Sequence, residues 1–104
     1  MKYQEHCIEC EQKLGKDWSV VHRWLDYFAQ FYFPDPVHRV FRHHKEGVEL
    51  VRGMWGDEAA KAAELHIIAD EGYIPTQSDM DSRYAVNAHS KEIMLNIRNK
   101  NDHP

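Results

Sequence analysis

A chain of 104 residues, 42% hydrophobic and 29% charged, has the size and balance of one globular domain able to bury a core without disulfides. Its formal net charge of −4, from 13 basic and 17 acidic side chains, offers no basic footprint for a phosphate backbone, which disfavours nucleic acid as a partner. Apolar runs fall far short of the ~18 residues of a membrane span, and no apolar segment follows Met1–His6, so neither membrane nor leader is expected. With two cysteines three positions apart, Cys7 and Cys10, a reducing cytoplasm is the expected location.

The first predicted helix is Tyr3 to Leu14, with Tyr3, Cys7, Cys10 and Leu14 on one stripe and Gly15 as its stop. Asp17 is a plausible cap for a second helix reaching about Tyr32, in which Trp18, Val21, Trp24, Leu25, Phe28 and Phe31 recur at helical spacing. Pro34-Asp35-Pro36 punctuates the chain, with Asp35 capping and Pro36 opening a third helix. That helix is predicted to run to about Trp55 on the stripe Val37, Val40, Phe41, Val48, Val51 and Trp55. Gly56 stops it, Asp57 caps an alanine-rich fourth helix, and Gly72 follows its end at about Glu71. Beyond Tyr73-Ile74-Pro75, Thr76 can cap a short turn, Asp79 to Ala88 reads as loop, and Ser90 to Arg98 as a last helix. The fold expected is an all-α compact bundle of four to five helices, one domain over residues 1–98 with a frayed tail over 99–104.

Histidine is the outlier, with eight: His6, His22, His38, His43, His44, His66, His89 and His103. Projection at about 100° per residue places His44 in the third helix's apolar stripe. The same projection puts His66 and Asp70, an i, i+4 pair, on the face of the fourth helix that carries Ala59, Ala63 and Ile67. In a hairpin about Gly56, His44 stands twelve residues before the turn, and His66 and Asp70 ten and fourteen after it. At about 1.5 Å per residue these are heights of roughly 18, 15 and 21 Å, so one ion could reach all three. Two imidazoles and a carboxylate suit zinc, iron or manganese. His22 and Asp26, also i, i+4, project off the apolar stripe and read as solvent-facing or as outer members of the site. His6, at the edge of the first stripe, is a further candidate ligand. His43 lies on a flank and His38 faces away.

The same residues also fit structural roles. A buried His44 can be a hydrogen-bonded core residue, His66 with Asp70 an ordinary helical pair, and His22 with Asp26 a solvated one. Tyr3, Cys7 and Cys10 fit plain core, and Glu46 and Glu49 a solvated face.

The blocks His22 to Asp26 (H-x-W-[FL]-D), His38-Arg39 with His43-His44-Lys45-Glu46-Gly47 (HR…HH-x-EG), and His66 to Thr76 (H-x-x-x-D-x-G-x-IPT) carry a resemblance over about the first eighty residues. They resemble a family of small uncharacterised bacterial and phage proteins, which supplies no activity. The chain is also similar, more weakly, to the all-helical HD-domain metal-dependent phosphohydrolases. That resemblance implies His44 as the first histidine and His66 as that of the His-Asp doublet, although Ile67 follows His66 and Asp70 comes one turn later.

The function expected is therefore binding of a divalent metal by His44, His66 and Asp70, with His6, His22 and Asp26 as outer candidates. If the protein is an enzyme, the metal would activate water for hydrolysis of a small phosphorylated substrate, and His43 or a carboxylate such as Asp70 would assist proton transfer. The competing expectation is a non-catalytic accessory factor that binds a host protein through Tyr27, Tyr32 or Phe33. A homodimer is compatible with either.

Overall fold

The computed structural model describes the backbone of residues 2–31 and 37–102, and side chains through Asn96. It is all-α: six α-helices and two 3₁₀ turns, with no strand among the described residues. The helices are α1 (Tyr3–Leu14), α2 (Ser19–Leu25), α3 (Lys45–Trp55), α4 (Asp57–Glu71), α5 (Gln77–Arg83) and α6 (Ala88–Asp102). The 3₁₀ turns cover Tyr27–Gln30 and Val37–Val40.

The first and fourth helices have the bounds their sequence signals predict. Gly15 ends α1 at φ 79° and Gly72 ends α4 at φ 86°, both in the left-handed region that glycine enters without a Cβ clash. Asp57 and Glu58 in the first turn of α4 complement the helix dipole. Gly56 rather than Asp57 occupies the cap position, because it alone links α3 to α4. Asp57 instead pairs with Arg52 across that link, at 2.7 Å.

α4 is the central element, and α1, α2 and α3 all pack on it. Its alanines make this possible: Ala59, Ala60, Ala62 and Ala63 are fully buried and let three neighbours approach closely. They meet Cys10 of α1, Val21 and Leu25 of α2, and Val48 and Val51 of α3. A second, smaller cluster joins Val40, Met80 and Val86.

Four expectations change. The second helix stops at Leu25, not Tyr32, because Arg42 donates to the Trp24 carbonyl (2.8 Å) and Asp26 turns into the interior. The third helix does not begin at Pro36. A 3₁₀ turn ends at Val40, the chain bends through Phe41–His44, and α3 starts at Lys45 with His44 as its N-cap. The stretch Asp79 to Ala88 is helical through Arg83, because Thr76 and Asp79 form a reciprocal capping box that starts α5. The last helix begins at Ala88 and continues to Asp102, into the expected frayed tail. Pro34-Asp35-Pro36, Tyr32 and Phe33 lie outside the described residues. Tyr27 is half-buried, its ring packed edge-on against Phe28 and Phe31.

Candidate metal centre

Among the described residues six histidines are buried: His6, His22, His38, His43, His44 and His66. Five of them gather with Asp26 and Asp70 in one region of the bundle, with His43 and His66 at its centre, and His44 does not. α1 brings His6, α2 brings His22 and α4 brings His66 and Asp70 one turn apart. Asp26 follows α2, His38 sits in the second 3₁₀ turn, and His43 in the bend before α3.

Asp26, His43, His66 and Asp70 each point one ligand atom at the centre. His66 Nε2 stands 3.1 Å from His43 Nε2, 3.3 Å from Asp26 Oδ1 and 3.2 Å from Asp70 Oδ2. His43 Nε2 stands 3.2 Å from Asp26 Oδ1 and 3.3 Å from Asp70 Oδ2. Around an ion bound at about 2.0–2.1 Å, neighbouring ligand atoms are roughly 3.3–3.4 Å apart in a tetrahedral site and about 2.9–3.0 Å in an octahedral one. Five of the six edges of this cluster therefore have the length of a first coordination sphere.

The hydrogen bonds behind the cluster fix which ring nitrogen of His66 is bare. His22 Nε2 lies 2.9 Å from the backbone carbonyl of Asp17, which can only accept, so His22 Nε2 carries the proton. Burial, with the neighbouring His66, pushes the pKa of His22 down to about 4, so its ring is neutral at pH 7 and its Nδ1 is an acceptor. His66 Nδ1, 2.9 Å away, must then be the donor. A neutral His66 accordingly turns the lone pair of Nε2 toward two carboxylate oxygens and a second imidazole nitrogen. That arrangement is repulsive unless a cation occupies the centre, either a proton or a metal ion.

The ionisation states agree. Burial alone would raise Asp26, but hydrogen bonds from His38, His43 and His66 outweigh it and hold the carboxyl well below its usual range. Asp70 is lowered against burial in the same way, by His43, His6 and His66. Both are carboxylates. Burial depresses His66, yet the bonds to Asp26 and Asp70 win and raise its pKa, so a proton on Nε2 is the cation that competes with a metal for the centre. A divalent ion would replace that proton, and its charge would balance the two carboxylates.

His6, His22 and His66 also lie within reach of one another, but they make a poor ligand set. The His6 and His66 rings are stacked at 3.6 Å with 15° between planes, so their in-plane lone pairs run nearly parallel and do not converge. His6 Nε2 instead stands 3.4 Å from Asp70 Oδ1, the oxygen that faces away from the centre. His22 is the hydrogen-bond partner that orients His66, the arrangement a metal-ligating histidine usually has.

The expected residues are thus redistributed. His66 and Asp70 are at the centre. Of the pair read as solvent-facing or as outer members of the site, His22 lies inside, because α2 packs on both α1 and α4 and buries a wider arc than one apolar stripe, and Asp26 is a half-buried outer member of the cluster. His44 is displaced from the centre. It caps α3, with Nδ1 accepting from Gly47 N (3.0 Å) and Nε2 donating to the Phe41 carbonyl (3.0 Å), which leaves no nitrogen for an ion. The bend before α3 puts the preceding residue, His43, in the position expected of His44. His43, read as a proton carrier, stands among the ligand atoms. His38, expected to face away, is buried with Nε2 3.4 Å from Asp26 Oδ1.

Residues 1–94 match the family model described as a domain of unknown function, DUF6915. The chain belongs to this family. The DUF6915 match takes in every residue of the cluster, from His6 to Asp70. Searches of curated proteins and of solved structures return no match to this chain. No described helix is long and apolar enough to cross a membrane.

Besides the α2 pair, helical projection misplaced two site residues, His38 and His43. The available signal was their sequence context, since both sit in the HR…HH-x-EG block.

Proposed function

We propose that this DUF6915 chain binds one divalent metal ion through Asp26, His43, His66 and Asp70, and uses it to activate water for hydrolysis of a phosphoester. The observation that carries the metal reading is the set of five ligand-to-ligand distances of 3.1–3.3 Å around a centre that His66 faces with Nε2. Two imidazoles and two carboxylates without sulfur suit zinc, iron(II) or manganese(II).

The hydrolytic step follows from access and charge. The Asp26 side chain is 28% exposed while the Asp70 side chain is 3% exposed, so water and substrate approach from the Asp26 side. A divalent ion there supplies a Lewis acid that makes a coordinated water more acidic. The proton lost from that water leaves on the exposed Asp26 side, where His38 Nε2 holds the carboxylate from outside the ligand set. The HD-like resemblance of the sequence points to the same reaction class, with His43 in the place of His44.

The test is elemental analysis of untagged protein beside the His43→Ala and His66→Ala variants, then a screen with phosphomonoesters and phosphodiesters. About one equivalent of zinc, iron or manganese in the parent, lost in both variants, supports the centre. A metal-free parent that also takes up no added ion overturns it. A loaded protein inert toward every phosphoester leaves the centre standing and removes the hydrolase.

A further inference from the structure

The bend that carries His43 is held by contacts too specific for a connecting loop. Gly47, buried in the first turn of α3, lies directly against the backbone of Arg42: a Cβ there would collide with the Arg42 carbonyl oxygen. Real Cβ atoms do not approach backbone so closely, and a carbonyl cannot swing aside as the end of a flexible side chain can. The same carbonyl accepts from His44 N at 3.0 Å, and His43 N donates to the Arg39 carbonyl at 3.0 Å. The His44 ring then clamps the bend from both ends, bonded to Phe41 on one side and Gly47 on the other.

The other end of the bend is anchored beside Asp26. The Arg42 guanidinium stacks over the rings of Trp24 (4.1 Å), Phe28 (4.9 Å) and Tyr27 (5.2 Å), while donating to the Trp24 carbonyl. These rings flank Asp26 in the chain. One residue run, Arg42-His43-His44, thus ties the segment holding one ligand to the segment holding another.

We infer that His44 and Gly47 are positioning residues for the metal centre: they fix the bend that presents His43 Nε2 to the ion, and neither touches the ion. The inference rests on the metal reading above and adds a division of labour within the His43-His44 pair. His43 is the ligand, and His44 is a helix cap that asparagine can replace in its bond to Gly47 N.

The experiment is a cobalt(II) titration of the full chain, read by its visible absorption, for the parent and for Gly47→Ala, His44→Ala, His44→Asn and His43→Ala, with helicity checked by circular dichroism. We expect about a 10–100-fold loss of affinity and an altered spectrum in Gly47→Ala and His44→Ala, the range typical of residues supporting a metal ligand. His44→Asn should regain most of the affinity and the parent spectrum, while His43→Ala should show no cobalt spectrum. If Gly47→Ala does not fold, the His44→Ala and His44→Asn pair decides alone. Parent affinity in folded Gly47→Ala or in His44→Ala, or loss in His44→Asn as complete as in His43→Ala, overturns the positioning role and leaves the metal centre intact. A parent protein that takes up no cobalt overturns both together.

Discussion

Replacing His22 by phenylalanine separates a ligand from the residue that orients a ligand. Phenylalanine keeps the ring volume and the stacking against His6 and His66 but removes both nitrogens. The donor His66 Nδ1–H then lies buried without an acceptor, at a cost of about 1–3 kcal/mol. His66 relieves that cost by moving its proton to Nε2, where Asp26 Oδ1 and Asp70 Oδ2 wait at 3.3 and 3.2 Å. In the parent, the ion displaces a proton from Nε2 and leaves Nδ1–H bonded to His22, whereas in the variant it must impose the tautomer whose Nδ1–H has no acceptor. Metal affinity should therefore fall about 10–100-fold, or roughly 1.4–2.7 kcal/mol, without vanishing. Competition with a chromophoric zinc chelator measures this directly, with His66→Ala as the reference for outright ligand loss. Binding abolished as fully as in His66→Ala would make His22 a ligand, and unchanged affinity would show that the Asp17–His22–His66 chain does not govern the centre.

Two further outcomes are expected. The neutral His22 has its pKa depressed to about 4 from an ordinary value of 6.5, so it contributes stability that is complete above pH 6.5 and is lost as pH falls toward 4. Urea unfolding of the metal-free protein across that window should show the parent losing more stability on acidification than His22→Phe, and equal pH slopes would refute the assignment. The buried Glu71 carboxylate accepts from Arg39 (3.2 Å), Arg83 (2.6 Å) and the Tyr84 hydroxyl (3.1 Å), and thereby joins α4 to α5 and to the second 3₁₀ turn. Glu71→Ala removes the acceptor of all three groups, while Arg39 keeps the Asp70 backbone carbonyl (3.4 Å) and carboxylate (3.9 Å), so it should cost about 1.5–3 kcal/mol by urea denaturation, and a loss below about 1 kcal/mol would show the network to be solvent-screened.

Local chemistry made much of the architecture legible before any coordinates. Gly15 and Gly72 end helices because only glycine enters the left-handed region without strain, and that property belongs to the residue wherever it stands. The alanine run of α4 announced a helix that neighbours approach closely, and His66 and Asp70 shared a face because four residues make about one turn. What the sequence alone could not decide was rotation and packing. Val37, Val40, Phe41, Val48 and Val51 fit one continuous helical stripe, so periodicity had no means to reveal the bend at Phe41–His44. That bend depends on the contact between Gly47 and the Arg42 carbonyl and on the two hydrogen bonds of His44. It exchanges the roles of adjacent histidines, since consecutive residues point in directions set by the local backbone. Projection of α2 likewise assumed one packing partner. With α1 and α4 both against it, His22 passes from the solvent side to the interior, and Asp26 becomes the half-buried outer member of the centre. The composition of the centre was thus written in the chain, while the choice of which imidazole meets the ion came from tertiary contacts that no single helix contains.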